Sequence, residues 1–222
     1  MAKVKISAAP SIRRLPSYLH IIRRLQCEGN AFVSGTVIAQ ELNLEPIQVR
    51  KDLSITGIMG KPKKGYPVQA LIEAIEHFLR WDSPLDAVLV GAGNLGAALL
   101  GYGEFRCHGL RVAAAFDKNP QKIGSNVHGV PVFDAVNMEE RIRSLGVTAA
   151  ILTVPSVQAQ ETAGILVRAG IRGIWNFTNI KLKVPEGVVV QKEDLSSGYA
   201  MFCVMLQARK PEEDGEHGAG QD

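Results

Sequence analysis

The sequence predicts an α/β chain in two parts: a small helical head with a wing, then a parallel sheet covered on both faces by helices and closed by an amphipathic helix. Three observations predict it. Apolar residues recur at helical spacing through residues 10–80. Short, near-continuous apolar runs alternate with helical segments from residue 85. A glycine-rich loop stands where the first of those runs meets its helix. The expected boundaries are 1–82 for the head, 83–192 for the sheet and 193–210 for the last helix. The remainder, 211–222, is an acidic, Gly-rich tail that reads as disordered.

Composition bounds the function classes. The chain has 222 residues, 46% hydrophobic and 21% charged, which excludes collagen-like and wholly disordered chains. No run of eighteen apolar residues occurs, so no membrane-spanning helix is expected. The opening residues, 1–6, are basic but lack the apolar core and cleavage site of a signal peptide. Cys27, Cys107 and Cys203 lie far apart with no CxxC pair, so neither a disulfide framework nor a zinc site is expected, and a reducing cytoplasm is. Residues 1–80 hold twelve Lys and Arg against six Asp and Glu, whereas the rest holds thirteen against sixteen. A basic head on a mildly acidic body points the head toward a polyanion.

In chain order, the head carries a helix-turn-helix pattern. Ser34 is placed to cap a helix whose apolar side holds Val37, Ile38 and Leu42, with Asn43-Leu-Glu45 as the turn. Pro46 suits the first turn of a second helix, with Ile47, Val49 and Leu53 expected to pack inward. Gln48, Arg50, Lys51 and Ser54 then face outward, the residue types that reach base edges and phosphates in a major groove. Gly60-Lys-Pro-Lys-Lys-Gly65-Tyr66 follows as a basic, glycine-bounded turn, the shape of a wing. Val68, Leu71, Ile72, Ile75, Phe78 and Leu79 form a helical stripe that ends before Pro84.

Strands are expected at 87–90, 112–116, 149–154, 173–177 and 188–190, with helices at Met138–Leu145 and 158–169 between them. The first strand runs into Gly91-Ala-Gly93-Asn-Leu-Gly96, a GxGxxG between strand and helix. There the glycines allow a tight turn, close approach of a pyrophosphate and close helix packing. Asp117 ends the second strand and suits the ribose hydroxyls of NAD(H), with Lys118 and Lys122 beside it tempering its repulsion of a 2′-phosphate. The fold expected is therefore Rossmann-like. Leu195, Tyr199, Phe202 and Leu206 recur at helical spacing in the last helix.

Hydride chemistry has little room. About thirty residues follow the last strand, and none of Tyr18, Tyr66, Tyr102 and Tyr199 has a lysine four residues on. His20 and His77 fall in the head and His217 in the tail, leaving His108 and His128 in loops without an obvious partner. No catalytic residue and no metal ligand is expected.

The chain resembles the Rex family of redox-sensing transcriptional repressors, from Arg14-Leu-Pro-Ser-Tyr18 to Asp194-Leu195. The resemblance rests on Gln48-Val-Arg-Lys-Asp-Leu-Ser54, Gly60 to Gly65-Tyr66, and Gly91-Ala-Gly-Asn-Leu-Gly-Ala-Ala-Leu99 with Tyr102. Val154-Pro155 with Ala159-Gln160, and Asn176-Phe177, complete it. It implies a homodimer with a winged-helix DNA-binding domain, a Rossmann domain and a C-terminal dimerisation helix exchanged between subunits. It also implies release from operator DNA by NADH, with NAD⁺ competing.

By matching position, Gly91, Ala92, Gly93, Asn94, Leu95, Gly96, Asp117, Lys118, Thr153, Val154, Pro155 and Asn176 are the implied cofactor-binding set. Tyr102 and Asp194, with Arg13 or Arg14, would report the nicotinamide's state. Ser34, Lys61, Lys63, Lys64 and Tyr66 join the outward residues of the second helix as the expected DNA-facing set. Departures from the family pattern are Thr56 before Gly57, His20 in place of an arginine, and Gly198 early in the last helix. Two rivals remain: an NAD(H)-dependent oxidoreductase with an appended basic domain, and a DNA-binding regulator sensing coenzyme A or NADP(H).

Overall fold

The computed structural model describes residues 8–208. The basic start, His217 and the tail expected at 211–222 lie outside the described residues. The chain divides into two compact units: the first runs to Pro84 and takes in Cys107–Gly109, and the second comprises Leu85–Arg106 and the chain from Leu110 on.

In the first unit α1 (Ala9–Cys27) opens with a proline in its first turn, where the missing N–H is no loss. Next come β1 (Phe32–Val33), α2 (Gly35–Glu41), α3 (Pro46–Ser54), β2 (Tyr66–Pro67) and α4 (Val68–Leu79). Ser34 caps α2, its Oγ accepting the Val37 N–H at 3.2 Å. β1 and β2 pair antiparallel, with Val33 opposite Tyr66, and hold the base of the wing, which a Lys61–Gly65 bridge closes. The core gathers Leu15, Tyr18 and Ile22 from α1, Ile38 from α2, Val49 and Leu53 from α3, and Leu71 and Ile75 from α4.

Two inward assignments are corrected here. Val49 and Leu53, four residues apart, are fully buried, and Ile47, about 200° round the helix from Val49, is left 75% exposed. On α2 the buried positions are Gly35, Ile38 and Ala39, and Val37 stays 38% exposed. Of the departures, Thr56 donates its hydroxyl to the Leu53 carbonyl at 2.7 Å, closing the end of α3, and His20 lies exposed on α1. His108 is no isolated loop residue: it is half-buried and stacks on Trp81, ring centroids 3.7 Å apart.

The second unit contains β3 (Leu85–Val90), α5 (Asn94–Gly101), all but the last residue of α6 (Gly103–Cys107), β4 (Leu110–Asp117), β5 (Asn126–Val127), β6 (Val130–Asp134) and α7 (Met138–Leu145). It continues with β7 (Ala149–Leu152), α8 (Ser156–Arg168), β8 (Gly173–Asn176), β9 (Val189–Lys192) and α9 (Leu195–Gln207). Its seven strands lie in the order β5-β6-β4-β3-β7-β8-β9, parallel except for β5. From β3 the chain moves outward to β4 and β6, then returns to the other side of β3 at β7. That reversal is the switch point at which open α/β sheets bind ligands.

The strands are apolar on both sides because helices cover both faces. Val88, Val90 and Phe116 pack with Met138, Ile142 and Leu166 on one face, and Leu89, Ala115 and Ile151 with Leu100 on the other. Neither the β5–β6 hairpin nor α6 was expected. The hairpin turns on His128 and Gly129 at φ 51° and 87°, a two-residue turn with both φ positive.

Candidate functional sites: a cleft at the sheet edge and a basic helix with a wing

β3 delivers the chain to Gly91, whose N–H donates to the Phe116 carbonyl at 2.8 Å. Gly91 sits at φ +100°, and a Cβ there would stand 2.8 Å from the Thr153 backbone. Thr153 Oγ1 donates to the Gly91 carbonyl at 2.8 Å and to the Val90 carbonyl at 3.1 Å, fastening the loop to the end of β7. Gly96 presses on the Gly91 carbonyl, where no side chain fits. Gly93 differs: nothing lies within 4 Å of where its Cβ would be. The first residues of α5 therefore present their N–H groups, and the positive end of the helix dipole, to open space. That is the fit a pyrophosphate requires.

The space is a cleft of about 820 Å³ outside the carboxyl ends of β3, β4 and β7, within the size range of small-molecule sites. Asp117 lines it, its Oδ1 accepting the Asn119 N–H at 2.8 Å. Lys122 Nζ stands 3.6 Å from Asp117 Oδ2 and donates to the Ala92 carbonyl at 2.8 Å, which ties the glycine loop to the end of β4. Of the expected cofactor residues, Gly91, Gly93, Leu95, Asp117, Lys118, Thr153, Val154 and Pro155 line the cleft.

Ala92, Asn94, Gly96, Tyr102, Asn176 and Asp194 do not line it. Ala92 and Gly96 are buried within the loop, and Asn94 is the first residue of α5. Asn176 is fully buried and its amide is spent inside the fold: Nδ2 donates to the Ile180 carbonyl at 3.0 Å, and Oδ1 accepts from Thr178 N–H at 2.9 Å and Oγ1 at 2.7 Å. It thereby shapes the turn that brings Phe177, Thr178 and Asn179 to the cleft. Asp194 caps α9, accepting the Ser196 N–H at 3.0 Å.

Tyr102 stands half-exposed, and its hydroxyl donates to Glu104 at 2.9 Å, a bond that raises its pKa. Its ring meets Phe105 edge-on at 4.7 Å, Phe105 meets Trp175 at 5.2 Å, and Trp175 meets Phe177 at 5.0 Å. A chain of rings thus joins Tyr102 to the cleft wall. Gln158, Glu161 and Thr162 also line the cleft and escaped sequence reading. The available signal is their place in the first turns of α8, the helix that follows β7.

In the first unit α3 displays Arg50 and Lys51, both exposed. Gln48 is half-buried and donates through Nε2 to Asp52 Oδ1 at 2.8 Å. Asp52, fully buried, also accepts from Arg14 Nε at 2.7 Å, Arg14 Nη2 at 2.9 Å and the Tyr18 hydroxyl at 2.6 Å. Burial pushes the Asp52 carboxyl upward, but the bonds from Arg14, Tyr18, Ser11 and Gln48 outweigh it and hold the carboxyl well below the usual range. Burial and the bond to Asp52 push Tyr18 up to about 12.

This network pins α3 to α1 and had no signature in the sequence. It engages Arg14 with Asp52, so of the two arginines named above Arg13 is the exposed one. On the wing Lys61, Lys63 and Lys64 are exposed, with Lys61 and Lys64 Nζ 5.6 and 5.8 Å from the Phe32 ring centroid. Tyr66 is half-buried and packs on the core, while the Ser34 hydroxyl is used by its cap and that of Ser54 bonds the Lys51 carbonyl. Among the described residues no group of three or more His, Cys, Asp or Glu could hold a metal ion, and no helix is long and apolar enough to cross a membrane.

A winged helix-turn-helix joined to a Rossmann-like sheet defines the class: a DNA-binding head on a nucleotide-binding fold. Residues 5–54 match the family described as "Putative DNA-binding protein N-terminus", and residues 82–180 the family described as "CoA binding domain". The chain is 58% identical over 210 residues to the redox-sensing transcriptional repressor Rex of Treponema denticola, covering 95% of this chain and 100% of that relative. It is similar to RSP, a Rex-family repressor, in three crystal structures, two of which hold ligands. In complex with β-NAD⁺ and operator DNA, RSP is 32% identical with a TM-score of 0.82 over 94% of both chains. In complex with β-NADH it is 32% identical with a TM-score of 0.83 over 93% of this chain and 96% of that one. The chain belongs to the Rex family of redox-sensing transcriptional repressors.

Proposed function

We propose that this chain is a redox-sensing repressor that binds operator DNA as a homodimer and leaves it when NADH enters the cleft, NAD⁺ competing for the same place. The observation that carries the reading is full-length likeness to a repressor solved with β-NADH and, separately, with β-NAD⁺ and operator DNA. The relatives are named as repressors, so the protein is a regulator and not an enzyme, and the oxidoreductase rival is set aside. The cytoplasm is the compartment this function implies.

In this reading the GxGxxG loop and the start of α5 hold the pyrophosphate, and Asp117 receives the adenine ribose. Thr153, Val154 and Pro155 form the wall opposite. Tyr102 and Asp194 report on the nicotinamide, and α9 is exchanged across the dimer. Arg50, Lys51 and the wing lysines meet the DNA. NADH acts only through unequal affinity for the DNA-bound and released states. Couplings of this kind are worth about 1–3 kcal/mol, roughly 5- to 150-fold in affinity.

The test is fluorescence anisotropy of labelled operator at constant salt, with NADH, NAD⁺, NADPH and coenzyme A added separately. Release by NADH alone is the expected result. Release by coenzyme A, the ligand class in the family description of residues 82–180, would overturn the redox reading. Indifference to all four would leave a repressor without this switch.

A further inference from the structure

We infer that Ile47 is a specificity-determining residue that lays its side chain on the 5-methyl group of a thymine in each operator half-site. The inference rests on the DNA-binding reading above and deepens it. On α3, Val49 and Leu53 are fully buried, whereas Ile47 is 75% exposed. Ile47, Arg50, Lys51 and Ser54 stand at i, i+3, i+4 and i+7, one outward stripe that begins apolar and continues with two cations and a hydroxyl. Two adjacent exposed cations select a polyanion. Among polyanions, duplex DNA also presents apolar groups in the groove that admits a helix, the thymine methyls, which RNA lacks.

The stripe is held in place. Asp52, on the other side of the same helix, takes Arg14 and Tyr18 from α1, so α3 cannot roll to bury Ile47. Gln48, the neighbour with the more familiar base-reading chemistry, is drawn aside by its 2.8 Å bond to Asp52. Ile47 is the second residue of α3, and the amino-terminal end of a recognition helix is the part that reaches base edges. Shape, charge and position therefore converge on one contact.

The experiment uses the full-length protein and an operator selected by it from random duplexes. Each thymine of the half-sites is replaced in turn by deoxyuridine, which removes the methyl and keeps the base pair. The dissociation constant is measured for the natural chain, Ile47→Val and Ile47→Ala at fixed salt. One symmetry-related thymine pair is expected to cost the natural chain about fourfold per half-site, the worth of roughly one buried methyl. Ile47→Ala should show the same loss on the thymine operator, no further loss on deoxyuridine at that position, and an unchanged salt slope. Ile47→Val should fall between.

Identical deoxyuridine profiles in all three proteins would overturn the assignment while leaving DNA binding intact. Failure of the natural chain to enrich any duplex would sink the DNA reading itself, a different and recognisable result. Ile47 is largely exposed and is not part of the first unit's hydrophobic core, and matching thermal melts of the three proteins check that the fold is unchanged.

Discussion

Gly91 and Gly93 stand two residues apart and obey different constraints. Gly91 holds a left-handed φ against the Thr153 backbone, so Gly91→Ala strains the loop and the end of β7 together. Thermal melting of Gly91→Ala should show a loss of about 1–3 kcal/mol, with NADH binding lost as well. Gly93 faces open space at an ordinary φ, so Gly93→Ala should melt like the natural protein yet bind NADH about tenfold more weakly, because the methyl would occupy the approach proposed for the pyrophosphate. Calorimetric titration beside a melt separates the two.

Asp52 supplies the pH dependence at the same scale. Its folded pKa lies below the ordinary 3.8, so it binds fewer protons folded than unfolded. Its contribution is complete above that value and is lost as the pH falls through it toward the depressed folded pKa. Urea midpoints of the natural chain should therefore drop on acidification below about pH 4. Asp52→Asn should be less stable at neutral pH by about 3 kcal/mol and show a shallower acid dependence.

At the scale of elements, α2 and α3 are set by local chemistry. Ser34 and Pro46 mark their starts in the sequence and perform those roles in the fold. Ser34→Ala should cost about 1 kcal/mol in urea unfolding, since the Val37 N–H loses its acceptor. Lys51→Ala should leave stability unchanged and reduce the salt slope of operator binding by about one, with the loss spread evenly over sequences.

Strand positions were legible because buried parallel strands read as apolar runs, and the glycine loop because its spacing is demanded by geometry. The β5–β6 hairpin escaped because β5 has only two residues, a proline interrupts β6 at Pro131, and the turn is His-Gly rather than Asn-Gly. The misplacement of Ile47 has another cause. Ile47 and Val49 stand about 200° apart on a helix, so they cannot share one face, and packing in the fold puts Val49 and Leu53 inside.

For the whole molecule the informative element is α9. Leu195, Tyr199, Phe202 and Leu206 are each at least 59% exposed, and the helix buries no residue in the single chain. Gly198 sits within it at a cost of about 1 kcal/mol relative to alanine. A helix so apolar and so uncovered needs a second copy to be stable in water. Phe202→Asp should convert the homodimer to a monomer in sedimentation velocity. It should keep each unit folded and weaken operator binding by about a hundredfold or more, because two half-sites are then no longer held together.

The sequence by itself determined the two-part architecture, the sheet's parallel character, the glycine-rich loop with an acid at the end of the next strand, and the basic head. Each of these is written in local spacing, in period, turn residues and charge. Tertiary structure alone decided which face of α3 is outward, that Arg14, Tyr18 and Asp52 form one buried network, and that Asn176 shapes a turn instead of lining the cleft. Those outcomes depend on partners two to thirty-eight residues away and on whether a polar side chain is met by another or by water. A polar residue carries the same letter in either surrounding, and the packing around it decides its role.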